Sequence, residues 1–174
     1  MLFSSTLRRT EETHASSRVS PDHRTFLVVV DDSKELKAAL RYACRRAVAT
    51  GGHVALLHVT HPAEFEHWMF VGKRMRDEAR ESAEEVLQRK ASLVGRLTGR
   101  MPALFVREGD PTDELLDLLD EEPNISVIVL ATGAGPEGPG PLVTALTGKH
   151  AQRLRVPLTL VPGHLSDAAI DLLA

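Results

Sequence analysis

Short uninterrupted apolar runs alternate along this chain with longer stretches in which apolar residues recur at helical spacing. Residues 26 to 30, Phe26-Leu27-Val28-Val29-Val30, form the first run, closed by Asp31 and Asp32. A run without polar alternation predicts a strand buried on both faces, as in a parallel sheet. Asp32 followed by Glu35 predicts a helix N-cap. From Ser33 to Ala49, Leu40, Ala43, Cys44 and Ala47 keep helical spacing until Gly51-Gly52 stops the pattern. His53 to Val59 predicts the second strand, and beyond Pro62 a charge-laced stretch reaching Leu97 has helical composition and closes at Thr98-Gly99.

Ala103 to Arg107 predicts a short third strand. Asp110-Pro111-Thr112-Asp113 then sets an N-cap, a first-turn proline and an early acid ahead of Leu115, Leu116, Leu118 and Leu119. Ile125 to Ala131 predicts the fourth strand, followed by a glycine-rich loop to Gly148, a short helix over Ala151 to Leu154, and a fifth strand over Val156 to Val161. Ser166-Asp167 predicts the cap of a last helical turn or two holding Ile170, Leu172 and Leu173. Strands alternating with helices require parallel pairing through right-handed crossovers, so the fold class is α/β, an open five-stranded parallel sheet with helices on both faces. The first and fourth strands are the most uniformly apolar and belong at the centre. The fifth, flanked by Pro157 and Pro162, belongs at an edge. The order 3-2-1-4-5 satisfies both conditions.

The 174 residues suit one domain, over residues 24–163, with a flexible N-terminal arm over 1–23 and a helical tail over 164–174. The arm is too polar to bury enough surface to offset its ordering entropy. Charge is nearly balanced, 24 acidic against 21 basic residues for a net of -3, with no basic run to attract a phosphate backbone, which argues against nucleic acid as a partner. The single cysteine, Cys44, falls on a helix position expected to be buried, which suits a reducing compartment. No apolar run is long enough to span a bilayer, so the expectation is a soluble cytoplasmic protein with no membrane partner.

With the order 3-2-1-4-5, the first and fourth strands are neighbours at a topological switch point, where open α/β sheets bind ligands beyond the carboxyl ends of their strands. The segments facing that crevice are Asp31-Asp32-Ser33 and residues 131 to 149, the latter with five glycines and three prolines. Glycines allow close backbone approach to an anion, and amides at a following helix start would donate to it; the alternative is a surface loop that merely needs turns. Gly135, Gly138 and Gly148 stand at the spacing glycine, two residues, glycine, nine residues, glycine. With the Asp-x-Ser start of the first helix (Asp31, Ser33), Leu-Leu-His-Val at 56–59, Gly-Asp-Pro before the third helix and a closing Val-Pro strand, residues 25 to 163 resemble the universal stress protein family.

That resemblance implies ATP as ligand, with magnesium as its accompanying ion. It matches Asp31 to the adenosine end of the site, Val59 to the residue whose backbone meets adenine, and Gly138 and Gly148 to the phosphates. Lys149 and His150 would offer amides at a helix start. Two departures stand out. Ala131 occupies the place of the family's first glycine, with Gly133 and Gly135 arriving later, and Lys149 replaces a serine or threonine. The resemblance also implies a homodimer through the fifth-strand edge and a stress-response, regulatory role. The alternatives are a family member without nucleotide that acts on a protein partner through its surface and tail, and a slow ATP hydrolase or nucleotidyl transferase.

Gly148-Lys149 is no Walker A loop, since Val143 stands where its first glycine is needed and His150 where serine or threonine would hold magnesium. His58, His61 and His67 with Glu64 and Glu66 match no metal-ligand spacing and read as a strand-end histidine plus helix surface. Phe65, Trp68, Met69 and Phe70 read as cover for the sheet, with a partner surface as the alternative. No Ser/His/Asp set, carboxylate pair or Cys/His arrangement declares a catalytic centre.

Overall fold

A computed structural model describes residues 24–61, 69–133, 135, 136 and 138–174, with side chains of the long second helix from residue 73 onward. The N-terminal arm, Glu64, Glu66, His67 and the aromatic group at 65–70 lie outside the described backbone or side chains. The elements are β1 (Thr25–Val29), α1 (Leu36–Thr50), β2 (His53–Thr60), α2 (Met69–Thr98), β3 (Ala103–Glu108), α3 (Pro111–Glu121), β4 (Ile125–Thr132), α4 (Pro141–Thr147), β5 (Leu158–Pro162) and α5 (Asp167–Leu173). All strand pairs are parallel, in the order β3-β2-β1-β4-β5.

The period of two along each strand divides the core. Phe26, Val28, Val54, Leu56, Val129 and Val161 face a layer made by α1, α2 and α5. Leu27, Ala55, Leu57, Ile128 and Leu130 face α3 and α4 through Leu115, Leu119, Val143 and Leu146. Leu27 and Leu56 are 0% exposed, and each such side chain contributes about 1.5–3 kcal/mol of burial. This is why β1 and β4 read as unbroken apolar runs.

Asp110 caps α3 as its sequence predicts, Oδ1 accepting from the amides of Thr112 at 2.8 Å and Asp113 at 3.2 Å. The far end of α3 is held by Arg155, which donates from Nε to the Leu119 carbonyl at 2.6 Å and from Nη2 to that of Glu122 at 2.8 Å. Three boundaries differ from expectation. Asp32 does not cap α1: Asp31 Oδ1 accepts from the Ser33 amide at 3.0 Å in a local turn, and the helix begins at Leu36 with Glu35 at its N-cap and no side-chain cap bond. Helix α4 lies within the stretch expected to be loop, starting on Pro141 at N1. Ala151–Arg153 is a single 3-10 turn, and β5 begins at Leu158.

At the C-terminus, α5 is capped by Ser166 Oγ, which accepts from the Ala169 amide at 3.2 Å, and buries Ile170 to 1% exposure. Arg41 of α1 grips Asp171 by two bonds, Nε to Oδ1 at 2.7 Å and Nη2 to Oδ2 at 2.6 Å, and Arg45 adds Nε to Oδ1 at 2.8 Å. Lys37 and Arg41 hold Asp167 at 3.0 and 3.3 Å. Bidentate arginine pairs are the strong members of their class.

Two outcomes follow from this packing. Burial pushes the Cys44 thiol up to about 11, so iodoacetamide should leave it unmodified at mildly alkaline pH until the protein is unfolded; rapid labelling of the folded chain, read by mass spectrometry, would contradict the packing. The Arg41 and then the Arg45 hydrogen bonds hold Asp171 well below the usual carboxylate range. A depressed folded pKa gives stability that is complete above the unfolded value of about 3.9 and is lost as pH falls toward the folded one. Amides of residues 167–173 should therefore lose protection, measured against their intrinsic exchange rates at the same pH, below about pH 4, and in Asp171→Asn already at neutral pH. Unchanged exchange in that variant would remove the ion pairs as the clasp.

Candidate functional site

The crevice lies where the topology predicts, beyond the carboxyl ends of β1 and β2 beside the switch to β4. A cavity of 620 Å³ is lined by Val29, Val30, Asp31 and Asp32 after β1, by His58 to His61 at the end of β2, by Ala79 of α2, by Asp110 to Thr112 at the start of α3, and by Pro141 and Leu142 of α4. That size suits a small organic ligand. A second cavity of 100 Å³ shares Val29, Asp31, Pro141 and Leu142 with it and adds Ser33, Ala131 and Gly140. A larger groove of 900 Å³ runs between α2 and β3, away from the switch point. It is walled by i,i+4 ion pairs, Arg80 with Glu84 and Arg89 with Glu85.

The chemistry of the crevice begins with a length mismatch. The β1–β2 ladder ends at the pair Val29–Leu57, whereas β2 continues to Thr60 and pairs with β3 over that whole distance. The Val30 amide donates to the Leu57 carbonyl at 2.7 Å. Alternate residues of a strand direct their backbone groups to opposite edges, so the N–H and C=O of Val59 point the same way as those of Leu57, past the end of β1 and into the cavity. His58 closes the neighbouring position, its Nδ1 lying 2.8 Å from the Val30 carbonyl. Because the carbonyl can only accept, Nδ1 carries the hydrogen and Val30 has its partner without Val59. An adjacent donor and acceptor on one residue, between apolar walls, match the edge of a planar base.

The other half of the expected site is arranged differently. Asp31 lines both cavities, Val59 the larger and Ala131 the smaller, whereas Gly133, Gly135, Gly138, Gly148, Lys149 and His150 line neither. Three of the amides that the sequence pattern assigns to phosphate are already used, that of Lys149 being the exception. Gly138 donates to Gly135 at 3.2 Å, Gly148 to Thr144 at 3.1 Å, and His150 to Ala145 at 3.1 Å. His150 is thus not at a free helix start, correcting that expectation. Gly148 has a local reason to be glycine, since a Cβ there would meet the Thr144 carbonyl at 2.9 Å. Gly138, at φ +84, serves the turn itself.

Lys149 acts on α3: its charge adds to the lowering of the Asp110 pKa, which the Asp113 amide mainly causes, with the Thr112 amide and hydroxyl also contributing. The base and sugar end of a nucleotide therefore fits the residues present, whereas the amides of Gly138, Gly148 and His150 supply no cradle for a polyphosphate. Sequence reasoning passed over Ala79, Thr112, Pro141 and Leu142 as lining residues; the Pro141-Leu142-Val143 helix start was the signal available for the last two. Among the described residues no group of three or more His, Cys, Asp or Glu is placed to hold a metal ion, and no helix is long and apolar enough to cross a membrane.

The universal stress protein family model matches residues 23–162 of the chain. No curated protein sequence matches it. Among solved structures, UspA from Lactobacillus plantarum superposes with a TM-score of 0.66 at 17% identity, over 79% of this chain and 97% of that one. A universal stress protein solved in complex with cAMP gives 0.53 at 17% identity, over 80% and 97%. Another, from Archaeoglobus fulgidus in complex with dAMP, gives 0.50 at 23% identity, over 80% and 98%. At such identities the superpositions speak for the fold. The family match runs from ahead of β1 to the last residue of β5, across every strand and the crevice between them, and on that ground the chain belongs to the universal stress protein family.

Proposed function

We propose that this chain is a regulatory protein of the stress response that binds an adenine nucleotide in the 620 Å³ crevice and reports its occupancy, rather than turning the ligand over. The observation that carries the reading is the backbone of Val59, left facing the crevice because β1 stops at Val29. The complexes of two structural neighbours with cAMP and dAMP support the same class of ligand. ATP is the nucleotide implied by the sequence resemblance.

Two of the three local acids have other duties, which supports binding over catalysis. Asp31 holds the Ser33 amide and Asp110 caps α3. A phosphoryl-transfer centre would need groups clamping the transferred phosphate, such as a metal or a basic side chain. The reading further includes a homodimer paired along β5, an edge strand on which Leu160 is 38% exposed, in a reducing cytoplasm that suits the free Cys44 thiol. The internally bonded glycine loop favours a second reading, in which the fold serves a protein partner without nucleotide.

Two measurements decide among these. Native mass spectrometry of the purified chain, followed by calorimetric titration with adenine nucleotides, should find binding that Ala79→Trp weakens at least about tenfold by filling the crevice from an exposed helix position, where substitutions usually shift stability by about 0.5 kcal/mol or less. An unliganded chain that binds none of them leaves the partner-binding reading standing. Light scattering should give a dimer that Leu160→Asp converts to monomer by placing charge on the paired edge. A monomeric parent protein would remove the β5 interface.

A further inference from the structure

We infer that the crevice selects by phosphate count: it takes an adenine nucleoside or its monophosphate, and each further phosphate weakens binding. This rests on the nucleotide reading above and narrows it. Binding a polyphosphate requires converging N–H donors, cations or both. Three of the loop positions between β4 and the second residue of α4 are Pro136, Pro139 and Pro141, which have no N–H to give. The amides of Gly138, Gly148 and His150 are spent on carbonyls of their own segment.

Charge points the same way. Asp31, Asp32 and Asp110 line the cavity, and among the described residues no lysine or arginine does. Lys149, the cation nearest in sequence to the expected phosphate position, lies where its field reaches Asp110, so part of its charge offsets an acid already present. A neutral nucleoside meets no penalty from these walls. A monophosphate can reach solvent at the mouth, whereas a triphosphate brings several negative charges against three carboxylates.

The test is calorimetric titration of the full chain with adenosine, AMP, ADP and ATP, at low and at high salt, first without divalent metal and then with magnesium. Adenosine and AMP should bind within about threefold of each other, and ATP at least about tenfold more weakly than AMP at low salt. Raising the salt should narrow that gap, because screening weakens repulsion. Asp110→Asn removes one charge while keeping a side chain that can cap the helix, and should narrow the gap at low salt in a variant whose thermal melt shows it folded. ATP binding tighter than AMP, with or without magnesium, or ATP affinity falling as salt rises as it would in a cationic cradle, would overturn the inference while leaving nucleotide binding intact. Failure of all four compounds to bind would overturn both.

Discussion

β1 is hydrogen-bonded on both sides, to β2 and to β4, yet it ends at Val29 while β2 continues to Thr60. A parallel sheet must satisfy every backbone group it buries, so a central strand that stops early leaves its longer neighbour with N–H and C=O groups facing a gap. His58 fills part of that gap by taking the Val30 carbonyl. The rest is the crevice, walled by Ala79 of α2 and by the starts of α3 and α4. The crevice is therefore a property of strand lengths first and of side chains second.

That order explains what the sequence made legible. Strand order followed from where unbroken apolar runs and prolines fell, because burial on two faces and an exposed edge impose different compositions. Asp31 was also readable as a crevice residue, since a strand's carboxyl end locates itself once the strand is found, whereas Val59 entered only through the family resemblance. Helix α4 was hidden because its seven residues sit among glycines and prolines that ordinarily mark a loop, though Pro141 at N1 is a legitimate helix opening. The start of α1 was misplaced because Asp31 captures the Ser33 amide, a short-range competitor that leaves a capping signature looking the same in sequence.

The glycine pattern shows a different limit. Spacing records how far apart residues are along the chain, but a cradle depends on which amides are free, and freedom is decided by neighbours three to five positions away. Thr144 and Ala145, apolar or small and unremarkable by themselves, consume the amides of Gly148 and His150. Glycine at 148 is then required by close approach to a carbonyl, with no ligand in the account. A motif can persist at its spacing while the physical reason for each member changes.

The attachment of α5 to α1 through Lys37, Arg41, Arg45, Asp167 and Asp171 has a thermal consequence. The hydration of charged groups becomes less favourable on heating, so the desolvation penalty of an ion-pair network falls as temperature rises, while apolar burial gains little. A C-terminal segment fastened by charge as well as by the buried Ile170 therefore loses less of its hold on heating than one fastened by apolar contacts alone.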